Sequence, residues 1–244
     1  MSSTNILKAE NISKKYQRKT IINNVSISVA QNEIIGILGP NGAGKSTTFH
    51  VIAGLTKCDS GKVLLNGTDI TTKRLPKRAK LGVAYLPQDS SIFRGLSVRD
   101  NIYAVLELQT NLSKDEKLAR VEEILSQFQL GKIRNTLGAF VSGGERRRVE
   151  VARALAISPK FILLDEPFAG IDPVSISEIK QIIIDIKNNN IGVIITDHNV
   201  RETLKICDRA DIMHNGKIIQ SGTAKQILEN DKIKEIYLGH EFYM

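Results

Sequence analysis

With 244 residues, 41% of them hydrophobic, the chain can bury a full core, which excludes a disordered polypeptide. Lys and Arg outnumber Asp and Glu by 34 to 26, and the resulting +8 suits a phosphate-bearing partner or an anionic membrane surface. Its basic groups (Lys14-Lys15, Lys73-Arg74, Lys77-Arg78, Arg146-Arg147-Arg148) lack interleaved aromatics, which speaks against a nucleic-acid stacking platform. Cys58 and Cys207 are too far apart for a zinc motif and point to a reducing compartment. The start has no basic-then-apolar leader, and no apolar run reaches about 18 residues. The expectation is a cytosolic protein that does not itself span a membrane.

In chain order, "ILKAENISKKY" through "IINNVSISV" reads as antiparallel strands, followed by a buried strand over 33–38. The next nine residues are Gly39, Pro40, Asn41, Gly42, Ala43, Gly44, Lys45, Ser46 and Thr47, with a helix beginning near Thr47. A strand, a loop of the form G-x-x-x-x-G-K-[ST] and a helix make a phosphate cradle. Glycines let backbone N–H groups curl round an anion, Lys45 bridges the outer phosphates and the Ser46 hydroxyl ligates Mg²⁺. "GKVLLNGTDI" holds an Asn66-Gly67 hairpin turn, and "LGVAYLPQ" is another strand ending at Gln88.

From Ser97 to Ile157 the pattern is helical, including "SKDEKLARVEEILSQF" with a capping box of Ser113 and Glu116. "VSGGERRRVEVARALA" starts a long helix where Ser142, Gly143 and Gly144 expose backbone N–H groups, a second anion cradle. One phosphate loop hardly needs two cradles, whereas a second copy of the chain would use the other. Strands resume with "KFILLDEP", "GVIITD" and "ADIMHNGKIIQSG", separated by the helical "VSISEIKQIIIDIKNN". The end reads as two short helices, with Thr223 and Gln226 as a further capping box, and an aromatic terminus. Asp165 and Glu166 close an otherwise apolar strand, where carboxylates are costly unless they face a cation or a reacting water. The pair suggests a division of labour, with Asp165 in the Mg²⁺ shell and Glu166 polarising the water.

Taken together and in this order, "GPNGAGKST", Gln88, "VSGGE", "ILLDEP", "AGID" and "ITDH" resemble the ATPase subunit of an ATP-binding cassette (ABC) transporter over essentially the whole chain. The resemblance implies an α/β P-loop NTPase fold in a single ABC domain. Its RecA-like core with an N-terminal antiparallel β subdomain would span 1–88 and 159–222, an inserted helical subdomain 89–158 and a helical tail 223–244. It also implies a homodimer with two ATP molecules, each with Mg²⁺, sandwiched head to tail. Each would lie between the phosphate loop of one copy and Ser142, Gly143, Gly144 and Glu145 of the other. Carried over by position, Tyr16 would stack on adenine, Gln88 would sense the γ-phosphate through Mg²⁺ or the water, Asp172 would couple the two sites, and His198 would contact the γ-phosphate. The commonest signature ends in glutamine. Glu145 stands here, and a carboxylate near a triphosphate is expected to turn outward or pair with Arg146 to Arg148.

Longer blocks, "YLPQDSSIFRGLSVRDNI" and "LLDEPFAGIDPVSI" among them, resemble the lipopolysaccharide-export branch of the family. That implies two transmembrane permease subunits, docking through Phe93 and Arg94, no direct contact with nucleic acid, and a peripheral place on the cytoplasmic face of the inner membrane. A branched-chain amino-acid importer ATPase stays open as an alternative, as does a soluble ABC ATPase acting on ribosomes or DNA.

Overall fold

A computed structural model describes residues 5–109 and 111–238. β1 (Ile6–Tyr16) buries Leu7, Ala9 and Ile12 and pairs antiparallel with β2 (Lys19–Ala30). β3 (Ile34–Leu38) runs through the glycine loop into α1 (Lys45–Ala53). β4 (Ser60–Leu65) and β5 (Thr68–Asp69) form a hairpin about Asn66-Gly67, whose φ of 51° and 77° fit a tight turn of the expected kind. Without β3, the other four strands make an antiparallel sheet in the order β2-β1-β4-β5.

The second sheet is six-stranded. After α2 (Leu75–Lys80) come β6 (Val83–Leu86), then α3 (Val98–Glu107), α4 (Lys114–Gln127) and α5 (Gly143–Ala156). β7 (Phe161–Asp165), α6 (Pro173–Asn188), β8 (Gly192–Thr196), α7 (Val200–Leu204) and the β9 (Arg209–His214)–β10 (Lys217–Gly222) hairpin follow. The strand order is β10-β9-β3-β8-β7-β6, parallel except for β9–β10. Every residue of β3, β7 and β8 is buried, as continuous apolar runs covered on both faces require.

One face of this sheet shares a continuous apolar cluster with α3 to α6, in which Leu86 and Leu164 join Ile102, Ile124 and Ile183. The other face packs on α1 and the antiparallel sheet through Ile35, Phe49 and Leu163. The helical stretch expected over 97–157 is interrupted between α4 and α5. There Gln129 takes φ of 53°, and Gly138 pairs its N–H with Leu96 O at 2.8 Å, too close to the Phe93 carbonyl for a Cβ. Both expected capping boxes form, Ser113 with Glu116 on α4 and Thr223 with Gln226 on α8 (Ala224–Leu228). The expected aromatic end of the tail, 239–244, lies outside the described residues.

Candidate functional site

Parallel pairing of β3, β8, β7 and β6 brings the loops after all four strands to one edge of the sheet, where open α/β sheets bind ligands. The first is the phosphate loop. Gly39 has φ of 149°, and a Cβ there would lie 2.1 Å from the Met213 carbonyl oxygen, so any side chain would push the loop off the sheet edge. Gly44 is the N-cap of α1 and offers no side-chain cap, leaving first-turn N–H groups for an anion. The Lys45 ammonium donates to the carbonyls of Gly39 (2.6 Å) and Pro40 (3.1 Å). Burial lowers its pKa, opposed by the charges of Glu166 and Asp165. Ser46 is exposed at the helix start.

β7 ends on the buried Asp165, which accepts a hydrogen bond from the Tyr85 hydroxyl at 3.1 Å. Burial raises its pKa, against the lowering effect of Tyr85 and of His50, Arg147 and Lys45. Glu166 then takes φ of 46°, a left-handed conformation that a non-glycine residue adopts at a cost, and its N–H still reaches Thr196 O at 2.8 Å. The bend aims its carboxylate across the sheet edge. Gln88 Nε2 donates to one oxygen and His198 Nε2 lies against the other, each at 2.6 Å. Three residues singled out in the sequence from three separate loops therefore form one cluster, beside the loop that carries Lys45.

Two further groups hold this cluster. Asp197 is buried, with its pKa raised by burial, and accepts from Phe168 N and Asn199 N, both at 2.8 Å; it thus ties the loop after Glu166 to the loop of His198. On α5 the buried pair Arg147–Glu150 (3.2 Å) clamps the Gln88 segment. Arg147 donates to Pro87 O (3.1 Å) and Asp165 O (3.2 Å), while Glu150 accepts from Ser90 Oγ and Ser91 N, both at 2.8 Å.

The same helix begins at the signature. Ser142 caps it and Glu145 returns its carboxylate to Ser142 N at 2.8 Å, a complete capping box. That hydrogen bond, ahead of a smaller contribution from the Ser142 side chain, lowers the Glu145 pKa. The carboxylate thus folds back on its own helix start, which supplies the donor; among the described residues it forms no ion pair with Arg146 to Arg148, although the Arg148 charge adds to the lowering of its pKa. Gly144 is required by packing, since a Cβ would sit 2.5 Å from Ser175 Oγ on α6. Gly143 lines one cleft with Gln88, Glu166 and Gly170.

Among the described residues, Tyr16, Ser142 to Glu145, Asp172, Phe93 and Arg94 make no hydrogen bond or ion pair to the Gln88–Glu166–His198 cluster. Tyr16 is exposed near the end of the β1–β2 hairpin with Lys14 Nζ 5.5 Å from its ring centroid. Asp172 caps α6, and the hydrogen bonds from Ser175 foremost lower its pKa. Exposed Phe93 lies under the Arg153 guanidinium (4.8 Å), and the buried Asn101 grips its backbone N–H and C=O at 2.8 and 3.0 Å.

A family described as ABC transporter matches residues 22–169. The chain is 52% identical to the lipopolysaccharide export system ATP-binding protein LptB of Haemophilus influenzae, over 97% of this chain and 98% of that protein. It is 48% identical to LptB of Escherichia coli K12, again over 97% and 98%. The chain belongs to the ABC transporter ATP-binding family. Its fold matches the ATP-binding cassette MJ1267 in its ADP conformation with a TM-score of 0.86 at 32% identity, over 97% of this chain and 99% of that one. A nucleotide-free cassette matches with a TM-score of 0.85 at 31% identity, over 97% and 100%. The cassette is an ATPase of that family. Its motif residues were readable from sequence. Tyr85, Asn101, Arg147 and Glu150 were not, since none carries a spacing signature for the contact it makes: Tyr85 bonds Asp165, Arg147 bonds Pro87 and Glu150 bonds Ser90, all far off in the chain, and Asn101 reaches back from α3 to the Phe93 backbone. Asp197 sits inside "ITDH", but its tie to Phe168 shows only in the fold.

Proposed function

We propose that this cassette is the ATP-hydrolysing subunit of a transporter that moves lipopolysaccharide out of the inner membrane, working as a homodimer on two permease subunits at the cytoplasmic face. The observation that carries the hydrolytic half is the Glu166 carboxylate held between Gln88 and His198 at the edge that bears the phosphate loop. The cargo half is supported by relatives named for lipopolysaccharide export at 52% and 48% identity across nearly the whole chain.

In this reading the α1 N-terminus and the Gly39–Gly44 backbone hold the nucleotide's phosphates, and Tyr16 offers its exposed ring to the base. Lys45 exchanges its carbonyl partners for phosphate oxygens. The Ser46 hydroxyl, Gln88 amide oxygen and Asp165 carboxylate would hold Mg²⁺, and the donor set fits: all are hard oxygens, and Asp165 is a buried anion whose one side-chain hydrogen bond comes from a neutral hydroxyl. Among the described residues no three His, Cys, Asp or Glu side chains form a metal site by themselves, which suits an ion shared with phosphate. Bound there, Mg²⁺ would offset charge on the phosphate oxygens. Glu166 accepts a proton from the attacking water once Gln88 or His198 releases one of its oxygens, and His198 then turns toward the γ-phosphate.

Residues 89–158 would move as the helical subdomain that carries Ser142 to Glu145 to the partner's nucleotide, with Asp172 at the seam between sites. Phe93 and Arg94 would meet a permease helix at the groove lined by Leu75, Ala79, Tyr85, Pro87, Ser91 and Arg153. Glu166→Gln tests the chemistry. The amide keeps size and hydrogen bonding and loses basicity, so turnover should fall by about 10²–10⁴-fold while ATP binding survives. Hydrolysis at the wild-type rate would place the base elsewhere.

A further inference from the structure

The +8 charge of the chain is unevenly spread. Between Asp69 and Asp89 there is no acidic residue, while Lys73, Arg74, Lys77, Arg78 and Lys80 all fall there. Arg78 is buried in the fold; the other four, and Lys57 nearby, have no ion-pair partner among the described residues. Lys57, Lys73 and Arg74 converge with Thr56 and Thr72 on a cleft between the end of α1 and the start of α2. Leu75 lines both this cleft and the groove that holds Tyr85, Pro87 and Arg153, so the two are neighbours across α2.

We infer that this cleft docks the anionic headgroups of the cytoplasmic membrane leaflet. The inference rests on the permease-docking reading of the adjoining groove. If a helix on the cytoplasmic side of the permease enters that groove, the cleft at its rim is turned toward the leaflet that holds the permease. The chemistry fits a lipid phosphate: three cations and the Thr56 and Thr72 hydroxyls can donate, the third lining hydroxyl, that of Thr71, is taken by Asp69, and no carboxylate itself lines the cleft. Two of the three cations are lysines, mobile point charges that suit a diffuse anionic surface better than the fixed bidentate geometry of a protein carboxylate.

The test is co-sedimentation of the full-length chain with vesicles of phosphatidylcholine alone or with roughly one third phosphatidylglycerol, at low and at high salt. Wild type should bind the anionic vesicles only, and salt should release it. The triple variant Lys57→Gln/Lys73→Gln/Arg74→Gln should lose roughly a hundredfold in partitioning, about fivefold per charge, with its ATPase rate and unfolding temperature unchanged. A control triple, Lys217→Gln/Lys225→Gln/Lys232→Gln, removes the same charge near β10 at the opposite edge of the sheet and should bind as wild type. Equal loss in the control, or no loss in the cleft variant, overturns the inference. So does a cleft variant that binds vesicles normally but no longer co-purifies with the permease in lipid-free detergent, which would make the occupant an acidic protein face. The docking reading fails separately, if Phe93→Ala leaves permease co-purification intact while the vesicle results hold.

Discussion

Asp165 is an anion in a position that folding alone would leave apolar. It ends a strand whose other residues are all hydrophobic and buried, and burial pushes its pKa above the ordinary carboxylate range. A carboxyl harder to ionise in the fold than in the unfolded chain costs nothing while both are protonated. The cost appears as pH rises through the unfolded value and is complete above the folded one. Asp165→Asn keeps an acceptor for Tyr85 and removes the charge. The nucleotide-free variant should therefore unfold about 2–4 °C above wild type at neutral pH, for a buried charge cost of about 1 kcal/mol. That gap should shrink as pH drops toward 4. Mg²⁺-dependent nucleotide affinity should fall in the same protein. A melting temperature unchanged or lower across that pH range would mean that Tyr85 and the nearby cations already compensate the charge. Glu145 shows the limit of residue-scale reading from sequence. Its S-x-x-E spacing from Ser142 is the same signal that identified the Ser113 box, yet the glycines between them drew the reading toward an anion cradle. The structure keeps the cap and leaves Gly143 and Gly144 at the helix start.

Elements with a strong period or a fixed turn were legible: buried β3, β7 and β8 from their apolar runs, the β4–β5 hairpin from Asn66-Gly67, α4 and α8 from their capping boxes. α2 and α7 were not, because six and five residues are too few to show a helical period. What α2 contributes is also invisible locally. Its Arg78 is 1% exposed and donates to the carbonyls of Val51 (2.7 Å), Ile52 (2.5 Å), Lys73 (2.8 Å) and Thr71 (3.0 Å). Two of those are C-terminal carbonyls of α1, so a cation seals the negative end of the helix whose other end faces the phosphates. Burial lowers the Arg78 pKa to about 10, which leaves it charged at neutral pH. Arg78→Met should strip these carbonyls of their donor and destabilise the fold by about 3 kcal/mol, with weaker ATP binding as α1 loosens. Arg78→Lys should recover only part, because an ammonium has three donors and no planar fork. Calorimetry and nucleotide titration would read both, and a methionine variant as stable as wild type would remove Arg78 from the support of the phosphate loop.

At the scale of the molecule, the chain path was readable and the packing was not. The sequence marks a helical block between β6 and β7. In the fold that block shares one apolar cluster with the sheet, and the Arg147–Glu150 pair joins its α5 to the loops of Gln88 and Asp165. These contacts give the helix that bears Ser142 a direct mechanical link to the Gln88 segment, which is what a site completed by a second copy would need. Complementation between two crippled chains tests this. Lys45→Ala removes the phosphate-loop cation, and Ser142→Arg blocks the signature face. In a mixed head-to-tail dimer one composite site carries both lesions and the other carries neither. Because the arginine also removes a helix cap worth about 1 kcal/mol, Gly143→Arg serves as a second blocking variant; a Cβ there meets nothing closer than 3.9 Å. Each variant alone should be nearly inactive, and an equal mixture should recover up to about a quarter of wild-type turnover, from half the dimers with one sound site in two. ATP binding by the signature variants should persist. If both mixtures bind ATP yet never exceed the more active parent, hydrolysis is completed within one chain, and the second anion cradle at α5 must serve something other than the partner's nucleotide.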